Sequence, residues 1–230
     1  MMQGINPLLD WLRTVLPAGY GVAGGPIGEP TASPYPAEEA LIARAVVSRR
    51  FEFRAGRSYA RAALLQVGCA ASAMDRDAAG APVWPMGHVG SISHSDGLAV
   101  AVSAPRQACV GIGLDLTAAA PFEPDLAKFI CHPHELASSR APPSSRFDPA
   151  RAIFTAKEAS IKSLYVATGL LFDFLDLEIV FKADGGEFEA TGPSRAPIGG
   201  LSNPCRFHGR LAQADEMLLA VTYIHPMNGA

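Results

Sequence analysis

Apolar positions recur every three or four residues in several parts of the chain, which is the period of an amphipathic helix. Residues 7–16 and 149–167 show this pattern, and Gly169 is placed to end the second helix. Residues 36–66 are also predicted to be helical, because Pro36 suits a first turn and Ala and Leu are frequent. We expect Gly56 to divide this long stretch into two helices.

Shorter apolar runs bounded by turn residues predict β-strands. Two of them, residues 97–104 and 108–116, are separated by a short turn. Four more runs in the last quarter of the chain predict successive antiparallel strands, at residues 176–183, 186–191, 205–213 and 216–224. Helices and strands therefore occur in both halves. This predicts an α+β fold of two similar halves, residues 1–112 and 113–230.

Composition narrows the classes of protein that fit. The 230 residues are 49% hydrophobic and carry a net charge of -3, which allows a sizeable core and argues against bulk electrostatic binding of nucleic acid. The four cysteines form no C-x-x-C pair, as in reduced intracellular proteins. We find neither a secretory signal nor a run of about 18 apolar residues. We expect a cytoplasmic protein without a membrane span.

A series of arginines occupies one of the predicted helices. Four of them fall on one helical face at i, i+4, i+7 spacing, and a fifth precedes them: Arg49, Arg50, Arg54, Arg57 and Arg61. Such a series is compatible with a solvated face. It is equally compatible with a site for a phosphate-rich ligand, because guanidinium groups bind phosphate in a bidentate manner.

Glycine and hydroxyl residues are concentrated just before the first predicted strand pair. Residues 75–91 are predicted to be a loop, and small residues and hydroxyls surround His94 within residues 84–95. Backbone N–H groups and hydroxyls in such a turn can hold an anion. The alternative is an ordinary Gly/Ser turn, since these residues favour turns in any case.

Acidic and basic residues follow on two later elements. Asp115 ends an apolar strand, where we expect it to be exposed. Glu158 and Lys162 share a helical face at i, i+4, and Lys157 lies about 100° round the helix. These residues form either a surface salt bridge or a site in which Glu158 binds a metal and the lysines bind phosphates. The Cys-His-Pro-His-Glu segment at residues 131–135 lacks a second ligand pair at zinc-like spacing.

Four patterns follow one another along the chain: R-R-x-E-F-x-x-G-R at residues 49–57, G-x-P-x-W-P-x-G-x-x-G-S-[IL]-[ST]-H at residues 80–94, G-[IV]-G-x-D ending at Asp115, and F-[ST]-A-K-E-x-x-x-K at residues 154–162. In this order they resemble the 4'-phosphopantetheinyl transferase superfamily, in its long monomeric form of the surfactin- and enterobactin-synthetase type. The resemblance covers roughly residues 35–170. It implies two halves related by a pseudo-twofold axis, with coenzyme A in the cleft between them.

The resemblance also implies roles for matching positions. Those that would hold the phosphates of coenzyme A are Arg49, Arg57, Arg76, Ser93, His94, Lys157 and Lys162, and His94 and Lys162 would add positive charge there. Asp115 and Glu158 would bind Mg2+, and Glu135 would lie near the pantetheine arm. Many relatives carry D-x-E, with a third acidic ligand where this chain has Thr117, whose hydroxyl is a weaker ligand for a hard cation.

The implied reaction moves 4'-phosphopantetheine from coenzyme A to a serine of an apo acyl or peptidyl carrier protein. The serine attacks the β-phosphate, 3',5'-ADP leaves, and Glu158 is the first candidate for the base. The resemblance further implies that the protein is a monomer and that it acts in siderophore, non-ribosomal peptide or polyketide synthesis. The alternatives are a coenzyme A-binding protein that has lost activity, a Mg2+-dependent phosphopantetheine hydrolase, and an interaction module in which every motif is structural.

Overall fold

The computed structural model describes residues 5–29, 31–138, 148–182, 186–193 and 205–226. Within these ranges, no helix combines the length and the hydrophobicity needed to cross a bilayer. Helices and two antiparallel sheets make up the chain, which confirms the predicted α+β class.

The helices follow from local sequence signals. They are α1 (Ile5–Val15), α2 (Pro36–Leu41), α3 (Val47–Gln66), α4 (Pro124–Ala127), α5 (Pro133–Ser138) and α6 (Pro149–Thr168). The Asp148 side chain caps the start of α6 by accepting the Arg151 N–H at 3.0 Å, and Gly169 ends it with a φ of 71°. Both ends of α6 match the prediction.

Gly56 does not divide the second helical region. It lies inside α3, and the break falls between α2 and α3 instead. A Cβ at Gly56 would lie 2.9 Å from Cγ2 of Ile92, so the glycine allows α3 to pack closely on the neighbouring sheet. The prediction was wrong because a glycine required by packing was read as a helix end.

The first sheet contains β1 (Gly21–Pro26), β2 (His88–Ser95) and β3 (Leu98–Pro105), in the order β1-β3-β2. Strand β2 was not predicted, because its glycines and serines resemble a turn. These residues instead allow close contacts: a Cβ at Gly90 would overlap the Trp84 ring. The predicted loop therefore ends at Gly87, and His94 lies in a strand.

The second sheet contains β4 (Gly111–Ala118), β5 (Glu178–Phe181), β6 (Glu187–Thr191), β7 (Arg206–Ala214) and β8 (Met217–Ile224). Its order is β4-β8-β7-β6-β5. Helix α6 packs directly on β4, since a Cβ at Gly113 would overlap the Ala159 carbonyl. This close contact brings the polar residues of α6 and β4 together.

Serine side chains join the two sheets. The Ser91 hydroxyl accepts the Leu114 N–H at 3.1 Å, and the Ser93 hydroxyl accepts the Leu116 N–H at 3.1 Å. These bonds occupy N–H groups of β4, at the edge of its sheet, and align β2 with β4. The chain passes from the first sheet to the second between β3 and β4, a few residues before residue 112. The domain boundary at residue 112 stays a prediction.

Candidate active site

Asp115 lies within β4 and is only 7% exposed, so the expectation of an exposed strand end was wrong. Lys162 Nζ from α6 is 2.6 Å from Asp115 Oδ1, and the Ser93 hydroxyl donates to the same oxygen at 2.9 Å. A lysine and a hydroxyl thus stabilise this buried carboxylate. The three residues come from α6, β4 and β2, so the site sits where the two sheets meet.

Glu158 completes the group from one turn before Lys162, whose Nζ is 3.8 Å from Glu158 Oε2. Burial raises the pKa of the Glu158 carboxyl; Lys162 opposes this effect and the negative charge of Asp115 adds to it. A carboxyl with a raised pKa beside a second carboxylate is suited to accept a proton or to share a cation.

Two carboxylates are enough to fit a magnesium ion whose coordination a phosphate ligand completes. Asp115 and Glu158 supply them, and Thr117 follows Asp115 by two residues, on the same side of β4. In the described part of the chain, no three His, Cys, Asp or Glu side chains form a metal-binding group. The donor set therefore fits a cation held jointly by protein and substrate.

A pocket of about 130 Å3 lies beside this group, and its lining includes three guanidinium groups and an imidazole, from Arg49, Arg57, Arg76 and His94. The guanidinium carbons of Arg57 and Arg76 lie 4.8 and 4.7 Å from the centre of the Phe53 ring. The ring thus holds two cations close together. The structure brings these four predicted residues into one pocket.

Arg57 is the buried member of this pocket, at 4% exposure. Burial lowers its pKa to about 10, and the charge of Glu38 partly opposes that shift, so Arg57 stays protonated at neutral pH. One Nη donates to the Asp75 carbonyl at 3.2 Å, whereas the buried Nε has no hydrogen-bond partner among the described residues. A buried donor that lacks a partner inside the protein favours an anionic ligand.

The other arginines of the series face protein groups. Arg50 donates to the carbonyls of Ala43 and Ala45. Arg54 forms a bidentate pair with Glu39, and Arg61 contacts both oxygens of Glu38. The series is therefore neither a solvated face nor a single phosphate site: part of it anchors the region around α2, and part lines the pocket.

His94 contacts Arg49 rather than adding a charge. Its Nε2 is 2.8 Å from an Arg49 Nη, and its Nδ1 is 3.8 Å from a Glu52 oxygen. Burial lowers the pKa of His94, and the positive charges of Arg49 and Lys162 lower it further. The carboxylates of Glu52 and Asp115 partly oppose this shift. The imidazole is thus neutral at pH 7 and accepts a hydrogen bond from Arg49. The expected positive charge on His94 was wrong.

The side chains of Ser93 and Lys157 are buried and bonded to protein groups, rather than exposed to a phosphate ligand. The Ser93 side chain is buried and bonded to Asp115 and to the Leu116 N–H. The Lys157 side chain is 0% exposed, and its Nζ lies 2.7 Å from Glu135 Oε2 and donates to the Ile130 carbonyl at 2.8 Å. The structure does not bring either side chain to a ligand surface.

Glu135 is likewise part of the interior rather than of a ligand pocket. Its carboxylate accepts the N–H groups of His132 at 2.6 Å and of Ile179 at 2.7 Å, besides the bond from Lys157. It is 1% exposed. The carboxylate therefore joins α5 and β5 to α6, which differs from the expected place beside a pantetheine arm.

A larger cavity, of about 590 Å3, continues from the arginine pocket and reaches Lys162. Apolar side chains line part of it, among them Trp84, Ile161 and Leu171. The Tyr165 hydroxyl on α6 donates to Asp77 Oδ2 at 2.6 Å and so links α6 to the loop before β2. Sequence reasoning missed Tyr165, although its position three residues after Lys162 placed it on the same face of α6.

Comparisons with known proteins identify the family of this chain. Residues 37–104 match a family model described as the 4'-phosphopantetheinyl transferase N-terminal domain, and residues 111–204 match one described as the 4'-phosphopantetheinyl transferase superfamily. Together these matches cover all the candidate site residues, along with β2 and β3 of the first sheet and β4, β5 and β6 of the second.

Three relatives are each named as 4'-phosphopantetheinyl transferases. Npt of Nocardia iowensis is 32% identical over 222 residues, which cover 92% of this chain and 99% of Npt. Svp of Streptomyces mobaraensis is 32% identical over 197 residues, which cover 83% of this chain and 78% of Svp. PptT of Mycobacterium tuberculosis is 34% identical over 177 residues, which cover 76% of this chain and 78% of PptT.

Proposed function

Because the chain belongs to the 4'-phosphopantetheinyl transferase superfamily, we propose that it moves the 4'-phosphopantetheine arm of coenzyme A to a serine of an apo acyl or peptidyl carrier protein. The proposed reaction depends on Mg2+ and releases 3',5'-ADP. The predictions of a surfactin-synthetase type, of a monomer in the cytoplasm, and of a role in siderophore, non-ribosomal peptide or polyketide synthesis belong to this proposal.

One observation carries the proposal: a cationic pocket, a carboxylate–lysine group and a partly apolar cavity adjoin one another. The arginine pocket suits the phosphates of a nucleotide. Lys162 lies at the wall of the larger cavity and beside Asp115, where a pyrophosphate would need neutralising charge. The cavity offers space for a chain such as pantetheine. Coenzyme A combines these three chemical parts in one molecule.

In the proposed mechanism, the side chains position the phosphates and balance their charge. Arg49, Arg57 and Arg76 hold the nucleotide phosphates, and His94 holds Arg49 in place. Lys162 is 2.6 Å from Asp115 Oδ1 and 30% exposed, so its ammonium can also donate to a pyrophosphate oxygen. Lys157 and Ser93 have no direct part in ligand binding in this proposal, because both side chains are buried and bonded within the protein.

The proposed transfer forms one phosphorus–oxygen bond and breaks another. The carrier serine oxygen forms a bond to the β-phosphorus, and the bond from that phosphorus to the bridging oxygen breaks. The bridging oxygen leaves with the electron pair as part of 3',5'-ADP. The serine proton goes to Glu158, the carboxylate that shares the group with Lys162 and Asp115.

Asp115 and Glu158 are the residues that would hold Mg2+, with Thr117 as a further oxygen donor. When bound, the ion supplies Lewis-acid stabilisation of the charge that develops on the leaving oxygen. The repulsion between the two carboxylates, which contributes to the raised pKa of Glu158, favours a cation between them. Among the residues that the structure describes, no third acidic side chain joins these two, which predicts a weak site that the substrate would complete.

The test of the proposal is to measure nucleotide release with and without a carrier. We expect chromatography to detect 3',5'-ADP only when coenzyme A, Mg2+ and an apo carrier are all present. Asp115→Asn should abolish release, whereas Asp10→Asn, at an exposed aspartate of α1, should not change it. Free phosphopantetheine formed without a carrier would indicate a hydrolase instead. Coenzyme A binding without any product would indicate a protein that has lost activity.

A further inference from the structure

Glu38 is a buried acid on α2 that joins three separate segments. It is 1% exposed, and both of its oxygens lie within 2.9 Å of an Arg61 Nη on α3. It also accepts the Ser33 hydroxyl at 2.5 Å and the Met74 N–H at 2.9 Å. Glu38 is absent from the lining of the arginine pocket and of the larger cavity.

The bond to Met74 fixes the start of the loop that delivers Arg76. The Met74 side chain is 0% exposed and packs with Ala60 and Leu64 of α3. Two residues later, Arg76 stacks on Phe53 inside the arginine pocket. The bond to Glu38 is thus one of two constraints, beside the packing of the Met74 side chain, on the segment that leads to Arg76.

Glu38 also acts on Arg57, whose guanidinium carries a buried charge. Arg57 donates to the Asp75 carbonyl, in the residue next to Met74. No carboxylate is bonded to Arg57 among the described residues, and Glu38 supplies the main charge that favours its protonated form. An acid placed behind the pocket can keep Arg57 charged without occupying the space for a ligand.

We propose that Glu38 is a positioning residue for nucleotide binding, which holds Arg57 and Arg76 in the arrangement that the phosphates of the ligand require. The inference rests on the proposed function, because it takes a phosphorylated nucleotide as the occupant of the arginine pocket. Glu38 does not touch the ligand in this account. Its effect is transmitted through the Met74 N–H and through its charge.

The neighbouring acid provides a matched control. Glu39 also lies on α2 and pairs with an arginine of α3, since Arg54 contacts its two oxygens at 2.9 and 2.6 Å. Glu39 accepts the Ser33 N–H at 2.7 Å rather than the Met74 N–H. Neither Glu39 nor Arg54 lines the arginine pocket. Glu38→Gln and Glu39→Gln thus each remove one carboxylate that joins α2 to α3, although Glu39 is 27% exposed and Glu38 is buried.

Calorimetric titration with 3',5'-ADP tests the inference. We expect Glu38→Gln to raise the Kd roughly ten-fold or more, the scale of one lost charge-assisted contact, and Glu39→Gln to change it less than about two-fold. Transfer assays should show a raised KM for coenzyme A in Glu38→Gln with kcat nearly unchanged. A general loss of structure would lower kcat as well. Equal Kd values for the two variants would overturn the inference.

A second measurement needs no variant. If the Glu38–Met74 bond supports ligand binding, the ligand must stabilise that bond to the same extent. Residue-resolved hydrogen exchange should therefore show that 3',5'-ADP slows exchange of the Met74 N–H more than that of the Val22 N–H, which bonds to the Gln66 side chain and lines neither cavity. Equal changes at the two sites would contradict the inference. If the wild-type protein does not bind 3',5'-ADP at all, the proposed function fails first, and the two failures are distinguished.

Discussion

Replacing Lys157 by Met separates the structural role of this lysine from the phosphate-binding role expected from its motif. Lys157 and Glu135 form an ion pair at 2.7 Å in which both side chains are 0% exposed. The substitution keeps an unbranched side chain, one heavy atom shorter, and removes the cation from beside the buried carboxylate. We expect a large loss of stability and little change in the affinity for coenzyme A.

The magnitude follows from the contacts of the pair. Removal of one partner from a buried ion pair typically costs about 3–5 kcal/mol. Because Glu135 keeps the N–H donors of His132 and Ile179, we expect the lower part of this range, about 3 kcal/mol. For a chain of this size, each kcal/mol lowers Tm by about 2–4 °C, so Tm should fall by about 6–12 °C.

Differential scanning calorimetry and coenzyme A titration measure the two quantities on the same preparation. The double variant Lys157→Met, Glu135→Gln should recover part of the lost stability, because it removes the remaining buried charge. A Lys157→Met protein with unchanged Tm and a coenzyme A affinity weakened ten-fold or more would refute the reasoning. That result would place Lys157 in the ligand site after all.

Other substitutions test the site itself. Lys162→Met should lower turnover at least about ten-fold, because the ammonium beside Asp115 would no longer neutralise the pyrophosphate; steady-state kinetics measures this. His94→Gln should leave coenzyme A affinity at pH 7.5 within about three-fold, since a neutral acceptor for Arg49 is retained. The folded-state pKa of His94 lies below its unfolded value, so protonation opposes folding, and stability falls as pH drops below about 6.5. Calorimetry from pH 7.5 to 5 should show a shallower fall for His94→Gln. Thr117→Glu should lower the Mg2+ concentration for half-maximal activity, which a magnesium titration measures.

Most helices and strands were predictable from the sequence because neighbouring residues determine where they begin and end. Helix α6 has a capping aspartate, a proline in its first turn and a terminal glycine, all readable without tertiary structure. Strand β2 has no such local signal. Its serines bond to N–H groups of β4, more than twenty residues away, and Gly90 makes room for Trp84. The sequence alone therefore resembles a turn at this position.

The sequence indicated which residues lie near the site better than it indicated the role of each residue. The structure places Asp115 beside Lys162 and brings three of the predicted arginines into one pocket, while their functional roles stay predictions. The motifs could not show that Lys157 turns inward, because adjacent helical residues differ by only about 100° and the depth of packing decides which one is buried. The neutral state of His94 depends on burial and on a neighbouring arginine, which a linear pattern does not encode.

Intact-mass spectrometry of an apo carrier protein tests the central claim most directly. The carrier is incubated with this protein, coenzyme A and Mg2+, and the Asp115→Asn variant serves as the control. We predict a gain of about 340 Da on the carrier, the mass of the transferred phosphopantetheinyl group, and its loss when EDTA is present. An unchanged carrier mass across several carriers, with coenzyme A binding intact, would contradict the account.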